Sequence, residues 1–493
     1  MKGVVMQGLL DVLDRAINLD KYFTESITDV VCAQSLTPFL LSHRASAKPI
    51  VIVTHSSRRA EDIGNELSAI LGKEAIIQFP AWETLPHEKL SPKSDTVAQR
   101  IHALYQLQNA TGKAKILIAP IRALIQPLIG TITETPLLQL EIGKEISLSD
   151  LVSQLTFMAY TRTDLVDLVE RRGDFAVRGG IVDIFPPLEE HPVRIDFFGD
   201  EIEEMRYFAV SDQRTFTSYL GKLEILPCRE LLITDDVKVR ALALAGTYPE
   251  LSDICTRISE GTYVEGMESL ASALSPSMKP LLSYLSKGSE LILLDEERNR
   301  SRTLDLVNTS NEFLEAAWSN AANGGATPID LRNLLGGGTY SSFDELREYA
   351  QNVGSFGWRS INNFGGDDST FIEDFLPHEP YKGNNEKVVA DIANWFRNGY
   401  LVLLSAHSHG LADRYFEILV DSDVPVRKSE SIKSAPTRDG VIVTTSTLEF
   451  GFINDVIKVV LITDKDISGH RNTTGDGAKM PKCHHAVRKL LIL

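Results

Sequence analysis

The run Arg171-Arg172-Gly173-Asp174-Phe175-Ala176-Val177-Arg178-Gly179-Gly180-Ile181-Val182-Asp183-Ile184-Phe185-Pro186 sets arginines, carboxylates and phenylalanines within one short segment. The chemistry that fits this mixture is recognition of a partner surface, not bond-making. A guanidinium fork pairs a carboxylate in two places at once. An aromatic anchor ringed by arginine has the composition of an interface hot spot. The candidate partner-binding residues are Arg162, Phe175, Arg178, Phe185, Arg194 and Phe197. Phe175, Phe185, Phe197 and Phe198 together are expected to exceed what so thin a domain can bury. The competing reading is a solvated sheet face on which Arg162, Arg178 and Arg194 pair with Asp164, Asp183 and Asp196.

Other groupings offer less. Leu291-Ile292-Leu293-Leu294-Asp295-Glu296-Glu297-Arg298 is an apolar strand ending in carboxylates. Asp295 and Glu296 could hold magnesium there, or could cap the segment that follows. Gly112-Lys113 precedes a strand instead of following one, so it reads as a helix stop and not as a phosphate loop. Cys483-His484-His485 and His407-Ser408-His409 lack the spacing of a metal ligand set. They read as incidental histidines, and no nucleophile elbow is present.

The elements that must position these residues follow from periodicity. Pro49–Thr54 is a continuous apolar strand. Ser56 or Ser57 can cap a helix with Ala60, Ile63, Leu67, Ile70 and Leu71 on one face, stopped by Gly72. Ala75–Phe79 and Lys115–Ala119 are further strands. Between them a helix capped by Ser94 carries Val97, Ile101, Leu104 and Leu107. This alternation predicts a parallel sheet with helices on its faces. From Pro127 to Glu224 the pattern changes. Phe175 and Val177 alternate with Ala176 and Arg178, Gly179-Gly180 allows a bend or bulge, and Val193, Ile195 and Phe197 alternate with Arg194, Asp196 and Phe198. Gly199-Asp200 turns the chain into Glu201–Phe208. That is a small antiparallel sheet with an apolar and a charged face. The parallel pattern returns at the strand Glu290–Leu294, followed by helical pieces at Glu312–Ala321 and Phe343–Asn352 around the Gly336-Gly337-Gly338 turn. A helix bearing Val388, Ile392, Trp395 and Phe396, strands at Tyr400–Leu404, Val441–Thr444 and Val456–Leu461, and a helix at Gly410–Val420 describe a second small α/β domain.

The fold class expected is therefore α/β: a helicase-like parallel-sheet domain that is degenerate in its chemistry, a small antiparallel α+β domain inserted in it, and a second small α/β domain after it. The boundaries expected are 1–126 and 225–372 for the two parts of the first domain, 127–224 for the insertion, 373–385 for a linker, 386–466 for the last domain and 467–493 for a polar, then basic, tail. At 493 residues the chain needs more than one core. Its net charge of -17 argues against tight non-specific binding to nucleic acid, since neutralising phosphates needs a local excess of Lys and Arg. Four scattered cysteines, Cys32, Cys228, Cys255 and Cys483, suggest no disulfide framework. No apolar run reaches the length of a membrane span and no signal-peptide pattern opens the chain, so a cytoplasmic protein with no membrane contact is expected.

The Arg171–Pro186 block resembles the second domain of the excision-repair protein UvrB, which docks on UvrA. The same block occurs in the transcription-repair coupling factors. The segment Phe79-Pro80-Ala81-Trp82-Glu83-Thr84-Leu85-Pro86-His87-Glu88-Lys89-Leu90-Ser91-Pro92 is similar to the coupling-factor version. The resemblance covers nearly the whole chain. It implies UvrA as partner, with Arg178-Gly179 and Asp183–Pro186 at the family's motif positions. It implies that Thr309–Gly366 completes the first domain. It also places the phosphate loop of helicase-type relatives at Val31-Cys32-Ala33-Gln34-Ser35-Leu36-Thr37-Pro38-Phe39, where no glycine or lysine stands. Ser35, Thr37, Asp295 and Glu296 would then be a vestigial nucleotide site, and no cofactor is expected. In the full-length family, ATP, magnesium, RNA polymerase and double-stranded DNA belong to motor and polymerase-binding domains that this sequence lacks. The chain should act as a non-catalytic, UvrA-recruiting adaptor, or be a fragment of an ATP-dependent double-stranded-DNA translocase whose motor is encoded elsewhere or truncated. No aromatic hairpin lies between Trp82 and Ser94 to stack on bases, and Trp82 reads as a packing residue.

Overall fold

The structure is a computed structural model and describes residues 6–86, 88–109, 116–134, 137–163, 168–218, 221–322 and 339–469. The chain forms two compact units. One comprises Met1–Cys32 and Leu36–Ile372, the other Ala33–Ser35 and Glu373–Leu493.

In the first unit, helix α1 (Gln7–Ile17) precedes strand β1 (Asp29–Cys32) and helix α2 (Thr37–Ala47). Then come β2 (Ile50–Thr54), α3 (Ser57–Leu71), β3 (Ile76–Gln78), α4 (Ser94–Gln108) and β4 (Ile116–Pro120). Every residue of β2 and β4 is buried. A strand apolar on both sides fits only between two covering layers, which is why these run parallel. Ser56 caps α3 by accepting the Arg59 N–H, and Gly72 follows its end. At α4 the cap differs from the expectation. Lys93 holds the N-cap position, and the Ser94 hydroxyl, free of the helix end, donates to Arg172 O at 3.3 Å.

After β4 the chain leaves this sheet for a second one. Helix α5 (Leu148–Phe157) is followed by β5 (Thr161–Arg162), β6 (Asp174–Arg178), β7 (Ile181–Ile184), β8 (Val193–Phe198), β9 (Glu201–Phe208) and β10 (Thr215–Ser218). They lie in the order β10-β9-β8-β7-β6-β5, antiparallel except for the β5–β6 pair. One face packs on Leu151 and Leu155 of α5 through Phe175, Val182, Ile184, Val193 and Ile195. The chain returns to the first sheet as β11 (Glu290–Leu294), α6 (Glu296–Ala322), β12 (Gly357–Asn362) and β13 (Thr370–Ile372). The completed sheet has seven parallel strands ordered β13-β1-β12-β11-β2-β4-β3.

Three details depart from the sequence expectation. The piece expected at Glu312–Ala321 is the end of α6, because no Gly or Pro interrupts Glu296–Ala322. The helix from Phe343 is α-helical only to Glu348 and continues as one π-type turn, Tyr349–Val353. Strands β12 and β13 were not foreseen. The Gly336–Gly338 turn lies outside the described residues.

The second unit carries α7 (Asn385–Arg397), β14 (Leu401–Ala406), α8 (His409–Asp421), β15 (Val426–Lys428), β16 (Val441–Thr445), β17 (Phe452–Asn454) and β18 (Val459–Thr463). The sheet order is β15-β16-β14-β18-β17, with only the β17–β18 pair antiparallel. Val402, Leu404, Val443 and Ile462 pack with Val388, Ile392 and Leu419 of the helices. The architecture is thus α/β, with large parallel sheets and a small, mostly antiparallel one. Among the described residues no helix is long and apolar enough to cross a membrane.

Candidate partner-binding face

Gly179 and Gly180 form the two-residue connection of the β6–β7 hairpin, with Arg178 opposite Ile181 and Gly179 at φ 62°. A side chain would be strained in that left-handed conformation. The register shift instead falls opposite the Asp196–Phe197 step of β8, where Glu203 of β9 is the extra residue. Strand alternation then sorts the candidates onto two faces. Phe175 and Val177 point toward α5, and Ala176 and Arg178 the other way.

The face away from α5 carries a ladder of charge. Arg194 lies opposite Asp183 in the register and donates from Nε to Oδ1 at 2.7 Å and from Nη2 to Oδ2 at 2.9 Å. The hydrogen bond it donates to Asp183 outweighs burial and holds the Arg194 guanidinium above its ordinary pKa. Its charge also sits 4.9 Å from the Phe208 ring. Arg206 pairs with Asp196. Arg178 is different. Its cross-strand neighbour is apolar, and its Nε is buried with no hydrogen-bond partner among the described residues. Arg162 is exposed at the β5 edge, where the register sets it opposite Phe175.

The phenylalanines correct the sequence expectation. Phe175 is 0% exposed in the core under α5. Phe185 is buried with Val169, Ala176 and Phe208, and Arg172 covers its ring at 5.4 Å. The small sheet buries both because it has apolar clusters on its two faces, not one. Neither ring is available as an anchor in this structure. Phe197 is half-buried against the α5-side core. Of these four phenylalanines Phe198 is the one that reaches solvent, 77% exposed at the β8–β9 turn. The alternation of Val193, Ile195 and Phe197 was the signal that could have found it. Arg194 pairs with Asp183, not with Asp196, and Asp164 lies outside the described residues.

The four vestigial-site residues do not form a nucleotide cradle. Ser35 and Thr37 are buried, and the Thr37 hydroxyl meets Cys32 Sγ at 3.7 Å. Asp295 follows β11 with φ 58° and accepts the Asn363 N–H at 3.4 Å. Glu296 sits at the start of α6, with its N–H bonded to Asn362 Oδ1 and its carboxylate 3.8 Å from Arg347. A triphosphate with magnesium needs backbone N–H groups presented by glycines and a lysine, and the loop supplies neither, so these residues do not fit that group. Near the end of β2, burial and the charge of Arg298 push His55 below its usual pKa against the pull of Asp295, with Arg59 and Arg302 adding to the push. In the second unit His407 pairs through Nδ1 with Asp464. Cys483–His485 lies outside the described residues, among which no cluster of metal-ligating side chains occurs.

These features define a helicase-like α/β protein that carries a small, mostly antiparallel sheet beside its large parallel one. Residues 138–231 match the UvrB interaction domain. The chain is similar to the "Transcription-repair-coupling factor" of Mycobacterium bovis, 34% identical over 92% of this chain and 38% of that protein. It is likewise similar to those of Escherichia coli K12, 25% identical over 90% of the chain, and Bacillus subtilis 168, 24% over 86%. The resemblance found in the sequence stands: the chain is of the kind that forms the N-terminal part of the transcription-repair coupling factors. It spans about two fifths of the length of these curated relatives. A solved structure, that of S. tokodaii Xpd4, aligns over 88% of the chain at 10% identity with a TM-score of 0.19, too low to bear on the fold.

Proposed function

We propose that this chain is a non-catalytic adaptor that recruits UvrA to couple stalled transcription to excision repair, alone or as part of a longer coupling factor. Arg178 and the exposed Phe198 form the contact, and Arg162, on the register position of Phe175 at the β5 edge, lies outside it. Phe197 supports the contact from the core side. The observation that carries the reading is the contrast between Arg178 and its neighbours. Arg194 and Arg206 each hold a carboxylate of their own sheet, whereas Arg178 has no ion pair among the described residues and its Nε is buried without a hydrogen-bond partner there. A guanidinium with one buried, unsatisfied N–H gains from a carboxylate that a partner supplies.

The test is a binding titration of the whole chain with UvrA. Arg178→Ala should weaken it by more than about tenfold, the loss typical of a truncated charge pair at an interface, while leaving the unfolding midpoint near wild type. Wild-type protein that does not bind UvrA would remove the adaptor reading. The same reading expects no ATP hydrolysis by this chain, in keeping with the missing glycine and lysine at Val31–Phe39. Steady-state turnover that disappears in Asp295→Ala would contradict it.

A further inference from the structure

The segment Phe79–Pro92 takes no part in the partner face, yet its surroundings are tightly specified. Trp82 is buried, and its Nε1 donates to Glu230 Oε1 at 2.8 Å. Arg100 of α4 donates from Nε to the same oxygen at 2.5 Å and from Nη1 to Pro80 O at 2.9 Å. Both charged side chains of the pair are 0% exposed. The Arg100 guanidinium also lies 4.5 Å from the Phe79 ring and 5.4 Å from the Trp82 ring. An ion pair this deep stabilises no more than well-packed apolar residues would. What it adds is direction: helix α4, the Phe79–Trp82 segment and the chain at Glu230 can dock in one arrangement.

Both ends of that locked frame meet the small sheet at Gly173. Two residues before Glu230, the Cys228 N–H donates to Met158 O at 2.9 Å. The Cys228 sulfur packs on Gly173 so closely that a Cβ there would lie 3.0 Å from it, at φ +93°. At the start of α4, Ser94 Oγ donates to Arg172 O. Gly173 in turn ties three strands together. Its N–H donates to Phe185 O and its carbonyl accepts the Thr161 N–H, both at 2.8 Å. Thr161 opens the strand of Arg162, and Gly173 leads into the strand of Arg178.

We propose that Arg100, Glu230 and Trp82 are positioning residues for the partner face: through Ser94 and Cys228 they fix the Gly173 corner from which the strands bearing Arg162 and Arg178 emerge. The proposal rests on the adaptor reading for its consequence in binding, but the lock itself can be tested without UvrA.

The experiment uses the whole chain. The double variant Arg100→Met/Glu230→Leu removes both charges and keeps the core filled, and it frees the Trp82 N–H and the Pro80 carbonyl from the partners that direct them. Ser94→Ala removes only the hydroxyl link to Arg172. Amide hydrogen exchange at Thr161 and Gly173 should accelerate by about tenfold or more in the double variant, and by less in Ser94→Ala. UvrA affinity of the folded double variant should fall by at least about fivefold. Wild-type exchange at both amides in a folded double variant overturns the proposal, as does faster exchange with unchanged affinity. If the double variant does not fold, unchanged exchange in Ser94→Ala overturns it. A wild-type chain that fails to bind UvrA instead removes the adaptor reading, and the exchange rates then decide the lock alone.

Discussion

Arg194 and Asp183 face each other across neighbouring strands and share two hydrogen bonds, 2.7 and 2.9 Å long, with the Asp183 carboxylate 2% exposed. Removing one member of such a pair strands the other. Arg194→Ala should therefore lower the stability of the fold, by up to about 3 kcal/mol given that the arginine itself is partly solvated. UvrA affinity in the folded fraction should change little. Denaturant midpoints measured beside binding titrations separate the two arginines, since Arg178→Ala is expected to show the reverse pattern. An Arg194→Ala protein of normal stability and tenfold weaker binding would reassign the contact.

Phe175→Ala and Phe185→Ala should act on the core and not on the interface. Both rings are buried, one under α5 and one beside Phe208. Emptying such a site costs about 3–5 kcal/mol for a large aromatic. Phe198→Ala, by contrast, should leave the midpoint within about 0.5 kcal/mol of wild type, as surface changes do, and weaken UvrA binding. Equal midpoints for Phe175→Ala and Phe198→Ala would show that the core assignment is wrong.

What could be read in the sequence, and what could not, divides along one physical line. Strands β2 and β11 were legible because four of the five residues of Ile50–Thr54 and of Glu290–Leu294 are apolar. Strand β12 was not, because its buried residues include Arg359 and Ser360, which pair with Glu290 and Asp29 on neighbouring strands. The same applies to the partner face. The arginine-phenylalanine run was plain in the sequence. Which arginine remains unpaired depends on cross-strand register: Ile181 stands opposite Arg178, and Asp183 opposite Arg194. No local pattern encodes that.

The buried thiols should be inert at neutral pH. Burial pushes Cys32 up to about 12, despite the hydrogen bond to Thr37, and pushes Cys228 up as well, despite its contact with Tyr160. The thiolate is the reactive form, so both should resist iodoacetamide in native protein and react only on unfolding. Peptide mapping after a timed native labelling checks this. Rapid native labelling of Cys32 or Cys228 would mean that the strand end β1 or the Gly173 corner opens readily.

The last prediction concerns Glu290, buried at the start of β11 with Arg44, Arg359 and Lys48 around it. Burial pushes its carboxyl upward. The hydrogen bond from Arg44 and the charges of Arg359, Arg44 and Lys48 outweigh that and hold its pKa below the ordinary value of 4.5. A carboxylate with a lowered folded pKa stabilises the fold fully above its unfolded value, and that contribution disappears as pH falls through the folded value. Glu290→Gln should thus be clearly less stable than wild type at pH 7, since it leaves the buried Arg359 without its countercharge. The gap should begin to close below about pH 4.5, where the unfolded carboxyl takes up its proton, and should vanish only at still lower pH. Urea midpoints of the two proteins from pH 7 down to pH 3 trace it. A gap that stayed constant over that range would mean that the charge of Glu290 does not hold β11 against α2 and β12.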